Sequence, residues 1–66
     1  MTVKDEVKLL MANRGVDVLS EDGETVTFVG RGNRKVSEYD FSQGSYADPA
    51  AIVAIVSGSM REPKSD

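Results

Sequence analysis

A chain of 66 residues with a net charge of −3, 39% hydrophobic and 29% charged, has room for one small globular domain and no second. It holds no cysteine, no histidine and no tryptophan, which removes disulfides, thiol chemistry, the Cys- and His-based zinc sites and the usual general base, and with them most enzyme chemistries. No apolar run approaches the roughly 20 residues of a membrane span, and Met1 to Leu10 carry acids where a signal peptide needs an apolar stretch, so a soluble, cytoplasmic protein with no membrane partner is expected.

Thr2, followed three residues later by Asp5, opens a segment in which Val3, Val7, Leu10 and Met11 recur at helical spacing until Gly15 ends the pattern. The spacing predicts an amphipathic helix of about three turns. Lys4, Asp5, Lys8 and Asn13 fall mostly off its apolar stripe, while Glu6 near the start and Arg14 near the end suit the helix dipole.

From Val16 to Phe41 the residues become β-branched and aromatic, interrupted by turn chemistry at Glu21-Asp22-Gly23 and at Gly30-Arg31-Gly32-Asn33. Three strands in a meander follow. Val16 and Val18 alternate with Asp17, Val26 and Phe28 with Thr25 and Thr27, and Tyr39 and Phe41 with Glu38 and Asp40, the pattern of an antiparallel sheet with one wet face. Leu19, Val29 and Val36 break the alternation and mark strand ends, a bulge or patches on the second face.

After the polar loop from Ser42 to Tyr46, Asp48-Pro49-Ala50 reads as an N-cap with proline at the first helical position, predicting a second helix to about Met60. The expected fold is therefore α+β, a two-layer α-β-β-β-α sandwich with a three-stranded antiparallel meander. One domain spans residues 1–61, and 62–66 form a flexible tail. Pro49 to Met60 carry no charge, and Ile52, Val53, Ile55, Val56 and Met60 supply more apolar side chains than one stripe hides, so a homodimer through this helix, with Ile52, Val53, Val56 and Met60 at its interface, is expected, with Ala51, Ala54 and Ser57 allowing close approach. The competing expectation is a monomer whose helix is covered by a bend of the sheet or by Tyr46.

Alternating direction along the chain places Asp5, Glu6, Glu21, Asp22 and Glu24 at one end, joined by Asp40 and Asp48, and Arg14, the Arg31–Lys35 hairpin and Arg61 at the other. Neither pole carries an enzyme motif. Glu21, Asp22 and Glu24 do not fit a calcium loop, no Ser-x-x-Lys activates a serine, and no metal, cofactor or catalytic residue is expected. Two binding readings follow. The acids Glu21, Asp22, Glu24, Glu38 and Asp40 suit a cationic protein surface. Arg14, Arg31, Arg34 and Lys35 suit phosphate, although the hairpin lacks the spacing of a nucleotide loop.

The element order resembles the double-stranded RNA-binding domain. That family grips phosphates with lysines at the start of its second helix, where this chain has Asp48-Pro49-Ala50-Ala51, so those roles do not carry over. Val16 to Ser20 after the first helix, the strand Thr25 to Val29 and the passage from polar loop to apolar helix over Ser42 to Val56 also resemble small acidic phage proteins that inhibit CRISPR effectors. The resemblance implies a non-enzymatic inhibitor. Its partner would be a larger nucleic-acid-binding effector, and Glu21, Asp22, Glu24, Glu38 and Asp40 would imitate DNA at the Arg- or Lys-bearing site that reads the protospacer-adjacent motif. The basic Arg31–Lys35 hairpin departs from that pattern.

Overall fold

A computed structural model describes residues 2–43 and 48–63. Helix α1 spans Val3–Asn13, strands β1, β2 and β3 span Val16–Asp22, Thr25–Gly30 and Val36–Asp40, a 3-10 turn covers Phe41–Gln43, and helix α2 spans Pro49–Gly58. The strands form one antiparallel sheet in the order β1-β2-β3. Both helices pack on the same face, which gives the expected α-β-β-β-α architecture.

Local chemistry accounts for the ends of α1. Thr2 Oγ1 accepts the Asp5 N–H at 3.1 Å, and at the other end Gly15, at φ 80°, donates its N–H to the Ala12 carbonyl while the chain reverses into β1. The β1–β2 hairpin closes with only Gly23 and Glu24 between the paired Asp22 and Thr25. Gly23, at φ 61°, supplies the left-handed residue such a tight turn requires. In the β2–β3 hairpin the left-handed residue is Arg34, at φ 59°, rather than a glycine. Gly30 is needed there for another reason: a Cβ at that position would collide with the Asn33 amide, which accepts the Lys35 N–H.

The core is built over the central strand. Val26 and Phe28 of β2 are sealed by Val7 and Met11 of α1, by Ile52, Val53 and Val56 of α2, and by Phe41. Phe41 was expected to continue β3; it instead lies in the 3-10 turn, where its ring meets Tyr39 edge-on at 4.9 Å. The helices run side by side in the same direction, with Ser57 Oγ of α2 donating to Met11 Sδ of α1 at 3.9 Å.

Helix α2 requires a correction to the expected dimer surface. It lies against both the sheet and α1, so Ile52, Val53 and Val56 are buried inside the chain and Met60 is partly buried against the same core. Ile52, Val53 and Val56 are therefore not available to a second copy, and Met60 only in part. The outward residues are Ala50, Ala51, Ala54 and Ile55. Leu10, expected on the apolar stripe of α1, keeps 38% of its surface exposed, because the buried arc is centred between Val7 and Met11 and Leu10 sits at its edge. The helix ends at Gly58, two residues short of Met60, where Ser59 Oγ donates back to the Ile55 carbonyl. Arg61, the last residue of the expected domain, exchanges two backbone hydrogen bonds with Val36 and extends the sheet by one bridge. Tyr46 and residues 64–66 lie outside the described residues. Among the described residues no helix is long and apolar enough to cross a membrane.

Strand β1 contains one residue more than its partner. Val18 pairs with Phe28 and Ser20 with Thr27, which leaves Leu19 in a β-bulge, exposed. The extra residue switches the phase of the strand. Val16, Val18 and Glu21 share the helix-covered face, and Asp17, Ser20 and Asp22 share the open one. Deleting Leu19 restores an uninterrupted ladder without moving any other residue to the opposite face. The deletion variant is therefore expected to fold and to keep Val18 opposite Phe28 and Ser20 opposite Thr27, as read by cross-strand NMR contacts; a slipped register would refute the assignment. Ser37 offers a second test. Its hydroxyl is buried opposite Phe28 with no hydrogen-bond partner among the described residues. Ser37→Ala removes an unsatisfied polar group and is expected to stabilise the domain by about 1 kcal/mol, seen as a melting temperature higher by roughly 4–8 °C.

Candidate functional site

Three groups of charged side chains stand out: two contain ion pairs that fasten the fold, and one lies on the open face of the sheet. The first joins α1 to the β1–β2 hairpin. Because the bulge turns Glu21 toward the helices, its two carboxylate oxygens take up both lysines of α1, Oε2 with Lys4 and Oε1 with Lys8. Lys4 also donates to the Gly23 carbonyl at 2.9 Å and approaches Glu24 at 3.6 Å. The hydrogen bond from Lys4, with that from Lys8, holds the Glu21 carboxyl below the ordinary glutamate range, and the same bond raises Lys4. A cleft of about 530 Å³ lies here, lined by Thr2, Lys4, Lys8, Glu21, Glu24 and Phe41. Its lysines are already engaged by the protein's own carboxylates.

The second group lies at the opposite end. Arg31 grips Asp17 with two parallel hydrogen bonds, Nε to Oδ2 at 2.9 Å and Nη2 to Oδ1 at 2.8 Å, and Nη2 also donates to the Ala12 carbonyl at 3.3 Å. Arg31 thus closes the last turn of α1 onto the start of β1, and its bond depresses the Asp17 pKa. Arg14, Arg34 and Lys35 are exposed and make no ion pair among the described residues. Of the four basic residues read as a phosphate grip, the structure engages one internally.

The third group is the face of the sheet that no helix covers. The register sets its residues in rows: Asp22, Thr25 and Asp40; then Ser20, Thr27 and Glu38; then Asp17, Val29 and Val36. Asp22 and Asp40 lie two strands apart, about 10 Å between backbones, and Glu38 is one row, about 7 Å, from Asp40 along β3. Thr27 Oγ1 donates to Glu38 at 3.5 Å. The Ser42 hydroxyl and N–H both donate to Asp40 Oδ1, at 2.7 and 2.9 Å, and lower its pKa. Asp22, Glu38 and Asp40 meet no cation among the described residues. Where the chain leaves α2, a shallow groove of about 350 Å³ between this face and residues 61–63 adds both Arg61 and Glu62 beside Glu38 and Thr27.

The five acids expected to act together therefore divide. Glu21 and Glu24 belong to the lysine clamp, and Asp22, Glu38 and Asp40 to the open face. Lys4 and Lys8, read from the sequence as lying off the apolar stripe, engage Glu21 and Glu24 of the expected acidic end and leave its other acids without an ion pair among the described residues. The lysines' pairing with Glu21 is non-local, and the only local signal for it was the bulge suggested by Leu19. Comparison with protein-family models, curated proteins and solved structures finds no match.

The clamp has a defined pH signature. A carboxylate with a pKa lower in the folded than in the unfolded chain stabilises the fold at neutral pH and loses that contribution as pH falls from its ordinary value of 4.5 through the folded value. Thermal unfolding followed by circular dichroism should show wild type weakening from about pH 5 downward. Glu21→Gln should melt lower at neutral pH and decline less steeply in acid, with a gap from wild type that narrows in high salt because the clamp is partly exposed. Equal acid slopes for the two proteins would remove the clamp as a stabilising element.

Proposed function

We propose that this chain is a small non-enzymatic binding protein that docks through the open face of its sheet on the cationic nucleic-acid site of a larger protein and blocks it. The observation that carries this reading is the display of Asp22, Glu38 and Asp40 on one uncovered face, none of them in an ion pair among the described residues, with Arg61 beside Val36 at the β3 border of that face. Sites that read nucleic acid present Arg and Lys toward phosphates and base edges, and carboxylates held on a rigid sheet meet such groups without a large ordering cost. Complementary charge speeds the encounter and sets its orientation. The resemblance to phage inhibitors of CRISPR effectors points to an RNA-guided nuclease as the first partner to test, with the host cytoplasm as the place of action.

The other reading, a nucleic-acid-binding module, draws on Arg14, Arg34 and Lys35, since Arg31 is held by Asp17. A gel shift distinguishes the two. A guide-loaded Cas9-type effector is mixed with its target duplex with and without the protein. Loss of the shifted complex is expected with wild type, retention with the double variant Asp22→Lys/Glu38→Lys, and no direct shift of duplex or single-stranded DNA or RNA by the protein alone. Inhibition unchanged in the double variant would sink the open-face reading. A direct shift that weakens steeply with salt would favour the basic hairpin.

A further inference from the structure

We infer that the free edge of β3 takes up an extended segment of the partner protein as an added antiparallel strand, one that carries Lys or Arg at alternate positions. The inference rests on the open-face reading and adds to it how the partner is held. Along an antiparallel ladder the backbone groups of successive residues point to opposite sides. The Gly30 N–H donates to the Lys35 carbonyl at 2.8 Å and the Phe41 N–H to the Glu24 carbonyl at 2.9 Å. Lys35, Ser37, Tyr39 and Phe41 therefore turn their backbone groups to β2, and Val36, Glu38 and Asp40 turn theirs outward. At Val36 the outward groups are used: its N–H donates to the Arg61 carbonyl at 2.7 Å, and its carbonyl accepts the Arg61 N–H at 3.0 Å. The edge is thus regular enough to pair with a strand, and every pairing in this sheet is antiparallel. The Arg61 bridge stands alone. Beyond it, the Glu38 N–H and carbonyl and the Asp40 N–H have no backbone partner among the described residues.

Charge selects the occupant. The side chains of Glu38 and Asp40 stand on the open face beside this edge, in no ion pair among the described residues. A strand added to β3 sets residues two positions apart directly opposite them, where opposite charges attract and like charges repel. Lys or Arg belongs at those positions. Arg61 fills the place opposite Val36, one row further along, and Glu62 follows it in the groove lined by Thr27, Val36 and Glu38. The border therefore carries Glu38, Asp40 and Glu62 against Arg61. A second copy of this chain is disfavoured by the same rule. Two β3 strands laid antiparallel, in the register that uses both outward positions, set Glu38 of each against Asp40 of the other. The other rim, β1, carries Asp17, Glu21 and Asp22 and is interrupted by the bulge at Leu19.

Amide hydrogen exchange of the isotopically labelled full chain, read by NMR, tests the inference with a synthetic peptide of alternating Thr and Lys. Two isomers of it are used as well, one methylated on the backbone nitrogens of its lysines and one on those of its threonines. All three carry the same charge. In an antiparallel added strand the lysines, whose side chains meet Glu38 and Asp40, also turn their backbone N–H groups to β3, so only methylation of the lysines blocks pairing. In the free chain the Glu38 amide is expected to exchange readily while those of Ser37 and Tyr39 are protected. At about ten times Kd the unmodified peptide should slow exchange at Glu38 about tenfold. The threonine-methylated isomer should do the same, and the lysine-methylated isomer should not. A Glu38 amide already protected in the free chain, or no response to any of the peptides up to ~10 mM, overturns the inference. Equal binding of both methylated isomers without protection of Glu38 also overturns it, and leaves the open-face reading standing as docking by charge alone. Equal protection by a peptide with Glu in place of Lys removes the basic occupant.

Discussion

Burial of Val26 and Phe28 beneath two helices is the contact on which everything else in this small domain rests. A three-stranded sheet has one central strand, and only β2 alternates fully between sealed and partly open residues. Every other buried side chain touches the cluster built over those two positions. The outer strands follow different rules. Strand β1 gives the core only the partly buried Val16, so its ladder to β2 and charge pairs at its two ends hold it in place: Glu21 to the lysines of α1, and Asp17 to Arg31. Small domains bury too little apolar surface to fasten every element by packing. Here the sheet edge is fastened by hydrogen bonds and charge.

That division explains which features were legible in the sequence. The α1 cap at Thr2, the turn at Gly23, the proline that starts α2 and the period-two texture of the strands are local, each decided within four or five residues, and they suffice for the α-β-β-β-α order. The misread features depend on distant neighbours. Whether Leu10 is covered depends on how far α2 reaches across α1. Whether Ile52 and Val53 face the core or a partner depends on α2 touching two surfaces at once, which makes its buried arc wider than a single stripe. Arg31 looks like a free cation in a glycine-rich hairpin, and only the docking of that hairpin beside α1 brings it to Asp17 and the Ala12 carbonyl.

Spending charge on internal fastening changes what the surface presents. With Lys4, Lys8 and Arg31 engaged, Asp22, Glu38 and Asp40 are left without an ion pair among the described residues on the uncovered sheet face, while Asp5, Glu6 and Asp48 are left so at the helix starts. A net charge of −3 thus describes neither side. One side of the domain offers carboxylates on a stiff backbone, which suits recognition by charge.

The bulge at Leu19 has a further consequence, for solubility. Strand β1 is seven residues long, lies at the rim of the sheet and contains no proline or lysine, the usual guards against strand-to-strand zippering between molecules. The inserted residue breaks the regular repeat of outward N–H and C=O groups midway along that rim, and so shortens the straight run a foreign strand would need. Asp22, which makes no ion pair among the described residues, adds a charge at one end of that rim. The same extra residue that sorts the acids between the two faces also makes the open rim a poor template for fibril growth.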